Sequence, residues 1–301
     1  MFMPSTMLSD MAGPPENLIF TACTGRCGQF SLVEYLNVYG NACFAEAEPP
    51  DLIYPNHWPL GNWMRHLQRR WIVTNEDLGR GKALRWYDED RKQPLLDMAR
   101  KRTKRISRLC RRAGATTYVE ASKFFIRSYC DAIAELRPDI GLLLLRRDPL
   151  ANARSFCNRG KDFLLDGVMP DFRKACLPMD AGSLSQYQLY LWQWAEIELR
   201  FQRFVESKGI RRYYVLPMED LNSPQRLATL FEFFSIGTKA PIARLAPKNT
   251  NEEGGRERTQ VSRSDLDEFD QFFERLPTEV RSRLPSLADY RETYNTPKAS
   301  R

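Results

Sequence analysis

Two short groups in this chain carry the residue types needed to hold an anion. The first is Thr24-Gly25-Arg26-Cys27-Gly28, which follows the apolar run Leu18-Ile19-Phe20 and precedes a segment with Phe30, Leu32, Val33, Tyr35 and Leu36 at helical spacing. A strand, a glycine-containing turn and a helix together make an anion site. The backbone N–H groups at the helix start have no partners within the helix, and the dipole favours negative charge there. Gly25 and Gly28 let the backbone turn tightly and approach a ligand closely. Arg26 adds a fixed positive charge suited to phosphate or sulfate. The second group is Arg146-Arg147-Asp148-Pro149, with Ser155 two helical turns into the segment that Pro149 opens. The Arg147 guanidinium and the Ser155 hydroxyl can meet there on one phosphate. Taken singly, each group also reads as an ordinary strand–helix connection and a surface ion pair.

The elements that must position these groups are legible as alternating strands and helices. Ile140–Leu145 is a continuous apolar run, as expected of a parallel strand buried on both faces. Thr116–Val119 and Arg212–Pro217 read as further strands. Helices are expected over Phe124–Leu136, Pro149–Cys157, Leu184–Ser207, Pro224–Phe234 and Ser264–Arg275. Within Leu184–Ser207, Tyr187, Leu191, Trp194 and Ile197 mark one apolar face. The order predicts one three-layer α/β/α domain with a mainly parallel central sheet, P-loop NTPase-like in type. It spans residues 17–301 behind a loose arm, 1–16, and carries a helical, basic insertion at about 41–112. The insertion ends in Arg91–Arg112, a basic amphipathic helix that suits either a solvated face or an acidic substrate. Ligands of open parallel sheets bind at the carboxyl ends of the strands. Two anion groups on that edge therefore imply a ligand with two separated negative ends.

Composition narrows the class. The chain has 301 residues, 43% of them hydrophobic, and a net charge of +7, which fits a globular protein with an anionic ligand or partner. No run approaches the ~18 apolar residues of a membrane helix, and the N-terminus lacks the pattern of a secretory signal. The seven cysteines, an odd number, suggest reduced thiols and a cytoplasmic setting. His57 and His66 are the only histidines, and Cys23 and Cys27 lack companions at zinc spacing, so no metal site is expected.

Taken in order along the chain, the groups resemble the nucleotide-dependent sulfotransferase family, which uses 3′-phosphoadenosine 5′-phosphosulfate (PAPS). Gly25-Arg26-Cys27-Gly28 after a strand is similar to that family's 5′-phosphosulfate loop, (K/R)-(S/T)-G-T. Arg147-Asp148-Pro149 with Ser155 is similar to its 3′-phosphate motif, R-(D/N)-P with Ser eight residues after the Arg. Tyr214–Leu221 and Leu230–Ile236 are similar to its late strand and following segment. The resemblance covers Leu18–Ile236 apart from the insertion. There are departures. Cys27 replaces the usual hydroxyl residue, and Gln29 and Phe30 stand where hydroxyls are usual, with Ser31 one position later.

The resemblance implies that Thr24, Gly25, Arg26, Cys27, Gly28, Gln29, Phe30, Ser31, Arg147 and Ser155 hold PAPS and its product, adenosine 3′,5′-bisphosphate. It also implies that Arg26 stabilises the bond that breaks, and that Arg256 closes over the nucleotide from a late loop. The family's base, a His or carboxylate at the end of the second core strand, falls on Glu120, with His57 in Asn56-His57-Trp58-Pro59 as the second candidate. The implied reaction is sulfuryl transfer to a hydroxyl or amine of a small-molecule or glycan acceptor, without a metal. Two other readings stay open. One is a P-loop-like small-molecule kinase, against which the missing Lys-(Ser/Thr) of G-x-x-x-x-G-K-(S/T) counts. The other is a basic nucleic-acid-binding protein, which no recognised motif accompanies. The acceptor and the oligomeric state are not written in these motifs.

Overall fold

The computed structural model describes residues 15–48, 80–160, 163–166, 169–245 and 260–295. Five strands, β1 (Asn17–Ala22), β2 (Cys43–Ala47), β3 (Thr117–Ala121), β4 (Gly141–Arg146) and β5 (Tyr213–Pro217), form one all-parallel sheet in the order β2-β3-β1-β4-β5. Every residue of β1 is buried, because this strand lies at the centre with helices on both faces. Side chains alternate between the faces. Leu18, Phe20 and Ala22 enter one core cluster with Leu142 and Leu144, whereas Ile19 enters another with Leu143 and Leu145.

The first face is covered by α2 (Arg80–Asp88), the basic α3 (Lys92–Ala113) and α4 (Cys130–Leu136). A π turn over Phe125–Tyr129 leads into α4. The second face is covered by α1 (Gln29–Tyr39) and α8 (Pro224–Phe233). A third cluster holds α5 (Pro149–Cys157), the short α6 (Phe163–Asp166), the N-terminal half of α7 (Gln186–Lys208) and the C-terminal helices α9 (Arg263–Arg275), α10 (Thr278–Arg283) and α11 (Pro285–Asn295). The expected three-layer parallel fold is the one observed. Among the described residues, no helix is long and apolar enough to cross a membrane.

Local chemistry explains where the helices begin. Asp148 caps α5 through its side chain to the Ala151 N–H, with Pro149 in the first helical position. Ser185 opens α7 with a capping box completed by Gln188, and Ser262 opens α9 with one completed by Asp265. The fold differs from the sequence expectation in three places. The segment expected to be a helical insertion begins with an edge strand, β2; its five residues, with two alanines and a glutamate, are too short and mixed to show a strand period. The π turn interrupts the helix expected over Phe124–Leu136. Finally, α7 is not buried on one face only. It is buried on all sides from Tyr187 to Phe201, with Gln193, Glu196, Glu198 and Arg200 inside, because it crosses from the third cluster into the first.

The basic stretch of α3 is partly consumed within the protein. Arg105 makes a bidentate pair with Glu46 at 2.9 and 2.8 Å, and Tyr118 donates to the same carboxylate at 2.9 Å. The C-terminal helices are tied to α5 by Arg154, whose Nε donates to Asp265 Oδ2 at 3.0 Å and whose second nitrogen meets Oδ1. Asp265 is fully buried. Asp265→Ala should therefore remove both this pair and half of the α9 capping box, at a cost of about 3 kcal/mol. Urea unfolding monitored by tryptophan fluorescence measures it, and a loss below about 1 kcal/mol would show that the helices are held by apolar packing alone.

Candidate anion site at the switch point

The strand order places the neighbours of β1 on opposite sides, β3 on one and β4 on the other. The crevice beyond the carboxyl end of β1 is the topological switch point of the sheet, where α/β folds place ligands. Three connections open there: Cys23–Gly28 after β1, Ser122–Phe124 after β3, and Arg147-Asp148 after β4.

The Cys23–Gly28 turn is held by its carbonyls. Thr24 O accepts from Arg127 at 2.8 Å and from Gln193 at 3.3 Å. Gly25 O accepts from Asn152 at 2.9 Å, and Arg26 O from Arg147 at 2.7 Å. Arg127, Asn152 and Gln193 are fully buried, so these bonds pull successive carbonyl oxygens toward the protein interior. The Gly25 N–H meets the buried thiols of Cys23 and Cys27. Gly25, Arg26 and Gly28 all have positive φ, at 87°, 57° and 84°. The value at Arg26 is uncommon for a residue with a side chain, and such strain clusters at functional sites. A Cβ on Gly25 would lie 3.3 Å from Lys123 Cδ and 3.4 Å from Phe156 Cζ, and one on Gly28 only 2.5 Å from Leu221 Cδ1. Gly28 is the residue before α1 and has no side chain to cap it.

The two anion groups of the sequence form one site. Arg26 Nε donates to Ser155 Oγ at 3.2 Å across 129 positions of sequence, and Arg147 bonds the Arg26 carbonyl. The backbone of Arg147 is fixed in turn by Trp194 Nε1, which donates to its carbonyl at 2.8 Å. Its neighbour Arg146 points elsewhere and makes a bidentate pair with Glu198 at 2.9 and 2.6 Å.

The other expected site residues fall in several places. Thr24 and Cys27 are buried, so Cys27 offers a ligand its backbone and not its thiol. Gln29 is also buried. Its oxygen accepts from Cys23 and Cys27, and its nitrogen donates to Glu48 at 2.8 Å, so the side chain turns inward rather than replacing a ligand-facing hydroxyl. Cys23 lies below the usual thiol range, chiefly through its hydrogen bond with Cys27, whereas burial pushes Cys27 well above it. Phe30 is exposed, and Ser31 is half-buried on the first turn of α1. His57 and Arg256 lie outside the described residues.

Glu120 requires a correction. It is fully buried, and its two oxygens are engaged by Arg102, at 2.9 and 2.6 Å from Nε and the terminal nitrogen, and by the Tyr129 hydroxyl. Burial opposes the charge on Arg102, but Glu120 together with Tyr129 and Tyr118 outweighs it, and the guanidinium holds its proton more tightly than usual. A carboxylate enclosed in this way presents no surface to an acceptor. Its place in β3, in register with Phe20 of the central strand, turns it into the first core cluster.

Sequence reasoning missed the supporting residues. Asn152 stands three positions before Ser155, on the same helical face, so a helical reading of the second group could have found it. Gln193 was hidden inside an apolar stripe. Arg127, pushed down to about 10 by burial, sits in the π turn and gave no signal. Glu48 and Lys123, joined at 3.3 Å, also belong to this crevice.

No family model and no curated protein matches the chain. Among solved structures it is similar to a sulfotransferase from Alicyclobacillus acidocaldarius, at 16% identity over 93% of this chain and 100% of that one, with a TM-score of 0.47. It is also similar to the sulfotransferase domain of the Synechococcus PCC 7002 olefin synthase, at 14% identity over 95% and 97% of the two chains, with a TM-score of 0.44. A third similar structure is sulfotransferase STF9 from Mycobacterium avium, at 15% identity over 96% and 79%, with a TM-score of 0.48.

The placement of Glu120 has a testable consequence. Glu120→Ala leaves Arg102 buried without its carboxylate and should destabilise the fold by about 3–5 kcal/mol. The denaturant midpoint measures this, and an unchanged midpoint would refute the structural role.

Proposed function

We propose that this protein is a sulfotransferase that binds PAPS in the crevice at the end of β1 and transfers its sulfuryl group to a hydroxyl or amine. The observation that carries the reading is the convergence of Arg26, Arg147 and Ser155 on a turn whose carbonyls are drawn inward. Two guanidinium groups and a hydroxyl suit a ligand with more than one anionic group. At its φ of 87°, Gly25 would hold a side chain only under strain and tight against Lys123 and Phe156, which suits a loop whose backbone approaches a phosphate.

The residues divide the work. The turn and the start of α1 bind the phosphosulfate end, with Arg26 placed to stabilise charge that develops on the leaving phosphate. Arg147 and Ser155 bind the 3′-phosphate. Arg26 and Ser155 bond each other, so binding exchanges this contact for contacts to the ligand. PAPS supplies an activated sulfuryl group, and the protein supplies orientation and electrostatics. Phosphoryl transfer from ATP with magnesium is less well supported. The residues after Gly28 are Gln and Phe, without the Lys and metal-holding hydroxyl of that chemistry, and Gln29 is committed to Glu48.

Adenosine 3′,5′-bisphosphate without magnesium should raise the melting temperature in step with its concentration above Kd, and ATP with magnesium should not. The reverse pattern would favour a kinase. Arg147→Ala removes a charge-assisted contact worth about 1.5–3 kcal/mol, so bisphosphate affinity should fall by about 10- to 100-fold in titration calorimetry. Unchanged affinity would remove Arg147 from the site.

A further inference from the structure

The Cys27 thiol points away from the ligand, and the anion site makes no use of it. We propose that Cys23 and Cys27 are an oxidation site: hydrogen peroxide joins them as a disulfide within the phosphosulfate loop, and the joined loop holds its ligand poorly. The site itself stands apart from the sulfotransferase reading; its effect on the ligand rests on that reading.

Cys23 directly follows β1, and Cys27 directly precedes Gly28. Between them Gly25 and Arg26 have φ of 87° and 57°, so the chain folds back and brings the two thiols into hydrogen-bond contact. Both also reach one atom. Gln29 Oε1 lies 3.9 Å from Cys23 Sγ and 3.7 Å from Cys27 Sγ. Sulfurs already in contact need only a short approach to reach the ~2.05 Å of a disulfide.

Cys23 is the sulfur that reacts first. Its hydrogen bond with Cys27 favours the thiolate against burial, and the Gly25 N–H and the Arg127 guanidinium favour it too. Burial pushes Cys27 well above the usual thiol range, and Cys43, Cys110 and Cys130 up to about 12, 11 and 12. Both members of the pair are fully buried, which restricts the oxidant to a molecule as small as peroxide, admitted when the loop opens.

In the first step the Cys23 thiolate attacks one peroxide oxygen. The S–O bond forms, the O–O bond breaks, and the departing hydroxide takes a proton to become water. Cys27 sulfur then attacks Cys23 sulfur. The S–S bond forms, the S–O bond breaks, and hydroxide leaves with the Cys27 proton as a second water. Two thiols are oxidised and one peroxide is reduced. The disulfide has no S–H, so Gln29 Oε1 loses both of its thiol donors inside the protein. Gln29 is the first residue of α1 and borders Gly28, so the helix start that closes the cradle loses an anchor.

Trypsin cleaves after Arg26, between the two cysteines. In peroxide-treated, alkylated wild type, the peptide ending at Arg26 should stay joined to the one beginning at Cys27 until dithiothreitol parts them. In Cys27→Ser the two should come apart. Separate peptides in treated wild type, or joined ones in Cys27→Ser, overturn the pair. Bisphosphate affinity of the joined wild type should fall by about tenfold or more in titration calorimetry and return with dithiothreitol. In Cys23→Ser and Cys27→Ser, peroxide should change each variant's own affinity by less than about twofold. A joined wild type whose affinity stays within about twofold, or variants that lose as much as wild type, overturn the effect on the ligand. A reduced wild type that binds no bisphosphate overturns instead the reading of the crevice, and the joined or separate peptides still decide the oxidation site.

Discussion

The site depends on where three consecutive carbonyl oxygens go. A turn between a buried strand and a helix must place its peptide groups somewhere, and unpartnered buried ones are costly. Here the oxygens of Thr24, Gly25 and Arg26 are taken by Arg127, Gln193, Asn152 and Arg147. These donors come from the π turn, α7, α5 and the end of β4, so elements of several core clusters meet behind one loop. Gly25, Arg26 and Gly28 take left-handed conformations in this turn, and the positive end of α1 follows it.

The basic excess of the chain looks different once the pairs are traced. Arg102, Arg105, Arg146, Arg154 and Arg200 each meet a carboxylate inside the protein. Their role is to let polar groups lie in the core, where an isolated charge would be expensive. The Arg26 guanidinium donates to a hydroxyl, and that of Arg147 to a carbonyl.

Much of the architecture was legible in residue patterns. Ile140–Leu145 announced a buried parallel strand, and Asp148-Pro149 announced the start of α5. The edge strand β2 was not legible, because Cys43–Ala47 is short, and pairing with β3, not its own period, makes it a strand. Glu120 shows the same limit in the site. A glutamate near the end of a strand beside an anion loop reads as a base, yet Arg102, eighteen positions earlier on α3, closes over it.

By itself, the sequence determined the strand–turn–helix at Asn17–Tyr39, the second group at Arg147–Ser155 and the parallel order that puts both on one edge. Those features are local: glycine conformation, proline geometry and apolar runs act over a few residues. Only the tertiary structure decided that the two groups form one site, that Asn152, Gln193 and Arg127 hold it, and that Glu120 is enclosed. Those outcomes depend on side chains brought together from distant positions, such as the 129 residues between Arg26 and Ser155. Burial and pairing, which separate a usable charge from a structural one, are properties of the packed chain.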